Sequence, residues 1–206
     1  MENNVNTIWE ILDKNFPENI SFIDEPDPWR FLITVMLSAS TTDKQAVKAA
    51  AALFEEYPDA ASVASASLQD IERLIHPAGL SRTKAPRIKE VSRYIAEHGL
   101  PTCMEELEAL PGIGEKTASC YVSQVLSLPA VIADTHFVRV ALRLGFTDTD
   151  DRNKAAREIR ERFPEDVWYR MSMVLNLHGR TTCRPKPLCG KCLVSSLCPF
   201  SASLNG

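Results

Sequence analysis

The stretch LEALPGIGEKTASCYVSQVLSLPAVIADTHFVRV, residues 107–140, organises the rest of this chain. Leu107 and Leu110 have the spacing of one face of a short helix, and the proline of PGIG (residues 111–114) ends that helix. A second helix begins at Glu115. The pattern therefore predicts two helices joined by a tight hairpin.

The hairpin has the composition of an anion-binding turn. Gly112 and Gly114 flank Ile113, and glycine adopts backbone conformations that a Cβ forbids. Amide groups near the start of the following helix then lie open to an anion. We therefore predict that Gly112, Ile113 and Gly114 contact a phosphate group.

Two charged residues add chemistry to this hairpin. Lys116 lies in the first turn of the second helix, where the helix dipole disfavours a cation and so favours the neutral, nucleophilic amine. Asp134 follows an apolar run and precedes a third helix. Each has a simpler interpretation, Lys116 as a solvated surface lysine and Asp134 as a helix N-cap. Together, however, a phosphate-binding hairpin, an amine and a carboxylate suit a single phosphodiester substrate.

The overall composition indicates a packed globular protein. The chain has 206 residues, of which 45% are hydrophobic. Its first ten residues lack the features of a signal peptide, and its longest apolar run is too short and too interrupted to cross a bilayer. We expect a soluble, intracellular protein with no membrane partner.

The distribution of charge matters more for nucleic-acid binding than the net charge of −4, which by itself lowers that hypothesis. Residues 78–93 contain five bases and one acid, and residues 178–206 contain four bases and no acid. Such clusters are usually solvated faces. The C-terminal cluster, however, coincides with most of the cysteines.

Helix signals run along nearly the whole chain, and no segment alternates convincingly as a strand does. Asp27, Thr42 and Ser67 each stand where an N-cap opens an apolar-periodic segment. Thr102 and Glu105 have the spacing of a capping box for the first hairpin helix. These signals predict an all-α fold.

Four cysteines form a C-x5-C-x2-C-x5-C run, at Cys183, Cys189, Cys192 and Cys198. Disulfides are unfavourable here because the chain carries no secretion signal. Four thiolates suit zinc, although zinc sites usually pair two closely spaced doublets. A single doublet flanked by two cysteines at equal distances also suits a [4Fe-4S] cluster, so the spacing alone leaves both metals open.

The sequence resembles the endonuclease III family of helix-hairpin-helix DNA glycosylases, from the residue 29 helix to Cys198. The motifs that carry the likeness, in chain order, are Leu37-Ser38-Ala39, Thr42-Asp43, Gly79-Leu80, Leu110-Pro111-Gly112-Ile113-Gly114 with Lys116-Thr117-Ala118, Asp134-Thr135-His136 with Arg139-Val140, and Leu177-His178-Gly179-Arg180 with the four cysteines.

This resemblance implies a two-lobed helical fold with a C-terminal [4Fe-4S] cluster loop. The expected domains are a six-helix domain at residues 18–128, and a cluster domain made of residues 1–17 and 129–206. The implied activity is bifunctional: an N-glycosylase that removes oxidised pyrimidines from double-stranded DNA, and an abasic-site lyase. A monomer acting in the cytoplasm, at the nucleoid, is expected.

The resemblance also assigns roles to individual residues. Lys116 matches the nucleophile that attacks C1′ of an extruded nucleotide, and Asp134 matches the assisting carboxylate. The four cysteines match the cluster ligands. Predicted DNA contacts, besides the three hairpin residues, are Ser40, Leu80, His136, Arg139, Arg184, Lys186 and Lys191.

Two departures from the family pattern affect these expectations. The interval from Cys183 to Cys189 encloses five residues where the family usually has six, which alters the geometry of the loop. Ser40 stands where the family has a glutamine that fills the space of the extruded base, whereas Leu80 keeps the matching wedge. A serine is too short to fill that space, so we expect an altered opposite-base preference or weaker excision.

Three alternatives compete with this assignment. A mismatch-specific glycosylase of the same superfamily, such as the adenine enzyme, generally lacks the lysine found at position 116. A catalytically inactive DNA-binding module would keep the hairpin without turnover. An electron carrier built on the cysteine loop would leave the hairpin without a purpose.

Overall fold

The computed structural model describes residues 2–204, and their side chains from Asn4 onward. Within this part of the chain the regular structure is helical and no strand is present. This confirms the all-α prediction. The α-helices are α1 (Glu2–Asn15), α2 (Pro28–Ser38), α3 (Asp43–Glu56), α4 (Ala60–Ser65), α5 (Leu68–Ile75), α6 (Ser81–His98), α7 (Met104–Glu108), α8 (Glu115–Gln124), α9 (Thr135–Leu144), α10 (Arg152–Arg162), α11 (Trp168–Thr181) and α12 (Pro199–Leu204).

The chain forms two compact units. The hairpin unit runs from Phe22 to Leu128 and contains α2 to α8. The cysteine unit combines the residues up to Ser21 with those from Pro129 onward, and contains α1 and α9 to α12. None of the described helices is both long enough and apolar enough to span a bilayer.

Side-chain caps set the start of several helices, as the sequence predicts. The Asp27 carboxylate accepts a hydrogen bond from the Arg30 amide at 2.8 Å, and the Thr42 hydroxyl accepts one from the Gln45 amide at 3.3 Å. Ser67 caps α5 in the same way. Each cap satisfies an amide that has no partner within its own helix.

The predicted capping box at Thr102 and Glu105 is wrong by one position. Helix α7 begins at Met104, its N-cap is Cys103, and no side chain caps it. The carboxylate that reaches back belongs to Glu106, which accepts hydrogen bonds from the Thr102 amide at 2.7 Å and from the Thr102 hydroxyl at 3.2 Å. The later helix start explains the shift, because it moves the reaching-back position one residue along the chain.

Each unit has its own buried apolar core. In the hairpin unit, the fully buried side chains include Leu32, Leu53 and Ile88, on α2, α3 and α6. In the cysteine unit, Ile8 and Phe137 lie in one core cluster, so the N-terminal helix α1 packs with the C-terminal helices. These cores fix the backbone that carries the predicted site residues.

Candidate nucleic-acid interface and catalytic groups

The hairpin turn depends on one of its two glycines. Gly112 has φ +82°, a conformation that favours glycine, and a Cβ at this position would lie 2.5 Å from Cδ of Arg87. A side chain at residue 112 would therefore be strained and would displace Arg87. The sequence-based reason for this glycine is confirmed.

For Gly114, the prediction of a backbone conformation that a Cβ forbids is wrong. Its backbone is extended, with φ −105° and ψ 176°, which any residue adopts, and a Cβ there would meet open space. Gly114 is instead the N-cap of α8, and no side chain caps that helix. The N-cap of α8 therefore offers no side-chain acceptor that would compete with an anion for the amides of the first turn.

Ile113 anchors the turn. Its side chain is buried, and its amide donates a hydrogen bond to the Leu110 carbonyl at 3.2 Å. The phosphate contact that we predict for Gly112, Ile113 and Gly114 stays a prediction. Lys116 is half-buried in the first turn of α8, where the sequence predicts it.

Asp134 does more than cap a helix. One of its carboxylate oxygens accepts a hydrogen bond from the Phe137 amide at 2.7 Å, which is the predicted N-cap of α9. The other accepts one from Nδ2 of Asn176 at 2.5 Å. The side-chain amide oxygen of Asn176, Oδ1, in turn accepts a hydrogen bond from Nε of Arg180 at 2.7 Å. Both carboxylate oxygens of Asp134 are thus held in place.

The orientation of the Asn176 amide follows from its neighbours. A guanidinium can only donate, so the side facing Arg180 must be the amide oxygen. The NH₂ group then faces Asp134. Sequence reasoning missed Asn176, although its spacing of four from Arg180 on one helix is the signal that pairs two side chains on a helix face.

The four cysteines of the run line one small cavity, together with Leu144, His178 and Phe200. Among the side chains that the structure describes, no group of three or more His, Cys, Asp or Glu is placed to hold a metal ion. The four thiols share one cavity.

The electrostatics of the cavity suit a positively charged group. Burial raises the pKa of the Cys192 and Cys198 thiols, and the neighbouring cysteines raise it further. Four thiolates in one buried cavity would repel each other unless a cationic centre bound them. Four cysteine sulfurs around a shared cavity are a donor set that suits either an iron-sulfur cluster or a zinc ion.

Arg143 holds the first loop of the cysteine run. Its guanidinium donates to the carbonyl oxygens of Arg184, at 2.7 Å, and Pro185, at 3.2 Å. The same group lies 3.6 Å from Sγ of Cys183 and 4.4 Å from the ring centroid of Phe200. The shortened interval is thus a defined turn around one arginine. The side chains of Arg184, Lys186 and Lys191 are exposed to solvent.

His136 and Arg139 are half-buried, and Arg139 is engaged within the cysteine unit. Its guanidinium donates to the carbonyl oxygens of Gly179, at 2.9 Å, and Cys183, at 3.2 Å. It also lies 3.2 Å from Nδ1 of His136. The predicted DNA contact of Arg139 stays a prediction, and its observed contacts join α9 to the end of α11.

The two predicted duplex-entering residues share an unusual backbone. Ser40 has φ +60° and Leu80 has φ +51°, and neither is a glycine. The Leu80 side chain is 61% exposed, which is high for a large apolar residue. Both residues lie at the tips of turns, after α2 and after the 3-10 helix His76–Ala78.

Comparisons with known proteins agree with this geometry. Residues 33–165 match the family described as HhH-GPD superfamily base excision DNA repair protein. Endonuclease III of Synechocystis sp. is 38% identical over 92% of this chain and 89% of its own length. Endonuclease III of Escherichia coli is 30% identical over 94% of both chains.

A solved structure of a trapped covalent intermediate between endonuclease III and DNA shares the fold. It matches with a TM-score of 0.93 and 29% sequence identity, and covers 100% of this chain and 99% of that one. The sequence-based resemblance is therefore confirmed. The chain belongs to the endonuclease III family, within the HhH-GPD superfamily of base excision DNA repair proteins.

Proposed function

We propose that this protein is a bifunctional DNA N-glycosylase and abasic-site lyase that removes oxidised pyrimidines from double-stranded DNA. The observation that carries the proposal is Lys116, an amine in the uncapped first turn of the helix that follows the hairpin. The matches to endonuclease III over most of the chain support the same activity and do not favour a mismatch glycosylase or an inactive binding module.

Lys116 supplies the nucleophile. Its neutral amine attacks C1′ of an extruded nucleotide, the N–C1′ bond forms, and the bond between C1′ and the damaged base breaks. The base leaves with the electron pair of that bond and takes up a proton. The C1′–O4′ bond then breaks, a proton passes from the attacking nitrogen to O4′, and the nitrogen lone pair forms the C=N bond of an iminium ion, which makes the C2′ proton acidic. Loss of that proton expels the 3′-phosphate by β-elimination.

Asp134 supplies a fixed negative charge. Positive charge grows on the sugar as the glycosidic bond breaks, and a nearby carboxylate stabilises it. A carboxylate that already accepts hydrogen bonds from the Phe137 amide and from Asn176 needs little reorganisation during the reaction. We therefore assign Asp134 the role of the assisting carboxylate.

We assign duplex contacts to residues at the surfaces of the two units. Leu80 and Ser40 enter the duplex beside the extruded nucleotide, and the N-terminus of α8 binds a backbone phosphate. His136, Arg184, Lys186 and Lys191 contact further phosphates. The protein then works on DNA as a monomer at the nucleoid. The hairpin unit and the cysteine unit correspond to the two domains of the family.

Cys183, Cys189, Cys192 and Cys198 hold a [4Fe-4S] cluster in this proposal. Support comes from the four thiols that line one cavity and from the membership of the chain in the endonuclease III family. The cluster fixes the loop that carries the exposed bases. Iron and sulfide analysis together with a visible absorption spectrum tests this, since a protein with zinc at this site would contain no iron or sulfide and would not absorb visible light.

A panel of duplex oligonucleotides tests the activity. It contains thymine glycol, an abasic site, a uracil mismatch and an adenine mismatch, each incubated with and without borohydride. We expect strand cleavage and a borohydride-trapped covalent adduct with thymine glycol and the abasic site. Excision of adenine or uracil without an adduct would contradict the proposal, and binding without any turnover would indicate the inactive module.

A further inference from the structure

A buried lysine joins the two turns that carry Ser40 and Leu80. Lys84 lies on α6 and is only 7% exposed. Its ammonium donates hydrogen bonds to the carbonyl oxygen of Leu37 at 2.8 Å and to that of Ala78 at 2.9 Å. One side chain thus contacts two segments that are about forty residues apart along the chain.

Burying the Lys84 ammonium costs free energy unless hydrogen-bond acceptors replace its lost hydration. Burial lowers the pKa of Lys84, because the charged form loses its hydration. Both acceptors lie at the C-terminal ends of helices, α2 and the 3-10 helix His76–Ala78, where outward-facing carbonyls attract a cation. The Lys84 ammonium therefore interacts favourably with the carbonyl groups at two helix ends.

Each bonded carbonyl is followed closely by a strained residue. Ser40 is three residues after Leu37, and Leu80 is two residues after Ala78, and both have positive φ. The backbone amide of Lys84 also donates to the Leu80 carbonyl at 2.9 Å. Left-handed conformations of residues other than glycine are unfavourable and persist only where the surroundings hold them.

We infer that Lys84 is a positioning residue for base extrusion: it holds the tips at Ser40 and Leu80 in the conformations that enter the duplex. The inference rests on the proposed function, because it assumes that these tips stabilise the extruded nucleotide. Lys84 acts through Ser40 and Leu80 and needs no contact with DNA. Its loss should affect substrates that must be opened, and spare those that are already open.

Lys89 provides a matched control. It lies on the same helix, is half-buried, and its ammonium also donates to a backbone carbonyl, that of Ala66, at 2.7 Å. Ala66 is the C-cap of α4 and belongs to neither tip. Lys89→Met therefore removes a similar hydrogen bond without touching the turns at Ser40 and Leu80.

The test compares two substrates for the parent, Lys84→Met and Lys89→Met. One is thymine glycol opposite adenine in an otherwise fully paired duplex with 2-aminopurine beside it, and the other is the same lesion in a small unpaired bubble. Borohydride trapping gives the rate on each, and 2-aminopurine fluorescence reports unstacking. We expect Lys84→Met to slow trapping on the paired substrate about tenfold, with a smaller fluorescence change, and the bubble rate to change less than about twofold.

The ratio of the two rates separates positioning from folding. A variant that is merely less folded loses both rates equally, so the ratio of the rates stays at the parent value. A parent-like ratio in Lys84→Met would refute the inference. A ratio that changes as much in Lys89→Met as in Lys84→Met would also refute it. Lys84→Gln, which keeps one donor, gives a second measurement of the ratio if Lys84→Met does not fold. A parent that yields no adduct with either substrate would refute the proposed function itself.

Discussion

The two predicted catalytic groups are held in different ways by the two units. Lys116 belongs to the hairpin unit, where the hairpin sets its position. Gly112 is left-handed, Ile113 is buried, and no side chain caps the start of the helix. Asp134 belongs to the cysteine unit, where two hydrogen bonds hold its carboxylate, one from the Asn176 side chain and one from the Phe137 backbone amide.

This difference follows from what each group does in the proposed reaction. A nucleophilic amine must change its protonation state and form a bond, so its terminal nitrogen must be able to move. A carboxylate that stabilises developing charge works best when it is fixed before the reaction begins. Substitution of Lys116 should therefore abolish the reaction. Substitutions of Asp134 and of its hydrogen-bonding partners should slow the reaction by different amounts.

The largest effect is expected from Lys116→Ala. Removing the amine removes the Schiff base, so the trapped adduct on abasic DNA should fall by about a thousandfold or more. Lys48→Ala, at an exposed lysine on α3, is the control and should trap like the parent. An adduct that survives Lys116→Ala would place the nucleophile elsewhere.

Asp134→Asn should have the next largest effect. The excision rate is expected to fall roughly a hundredfold through loss of the negative charge. Stability should fall by only about 1 kcal/mol, because asparagine still caps a helix but turns an NH₂ group toward Asn176. Single-turnover rates and thermal unfolding measure the two effects.

The capping role of Asp134 has its own control. Asp151 caps α10 in the same unit by accepting a hydrogen bond from the Lys154 amide at 2.9 Å. Asp151→Asn should leave excision unchanged. If Asp134→Asn and Asp151→Asn were equally active, Asp134 would be a helix cap and nothing more.

Asn176→Leu should have an intermediate effect. It leaves one Asp134 oxygen and the Arg180 guanidinium without their shared partner, so excision should slow about tenfold and stability should fall by about 1–3 kcal/mol. Asn176→Asp keeps the acceptor for Arg180 but turns a carboxylate toward Asp134. It should therefore excise more slowly than Asn176→Leu. The reverse order, measured in single-turnover assays, would remove Asn176 from a positioning role.

Lys191→Ala should have the smallest effect. Loss of one phosphate contact should weaken binding similarly for all DNA sequences and lower the salt slope of log affinity by about one. Lys154→Ala, at an exposed lysine on α10 of the same unit, is the control and should keep the parent slope. Equal slopes for all three proteins would show that Lys191 does not contact the DNA backbone.

The sequence predicted much of the local structure because local signals set it. Helix starts at Asp27, Thr42 and Ser67 depend on side chains within a few residues, and all three caps are present. The capping box at Thr102 failed for the same reason that most boundary errors arise. A shift of one residue in the helix start changes which glutamate reaches back.

The sequence alone determined the helical class, the hairpin, the position of Lys116 in its helix and the grouping of four cysteines, since each rests on residues close together in the chain. Only the tertiary structure showed that Asn176 holds Asp134, forty-two residues away, and that Lys84 joins Leu37 to Ala78. A spacing pattern reports which residues share a helix face. It does not report which distant backbone carbonyl or carboxylate a buried donor reaches, because packing of the core decides that.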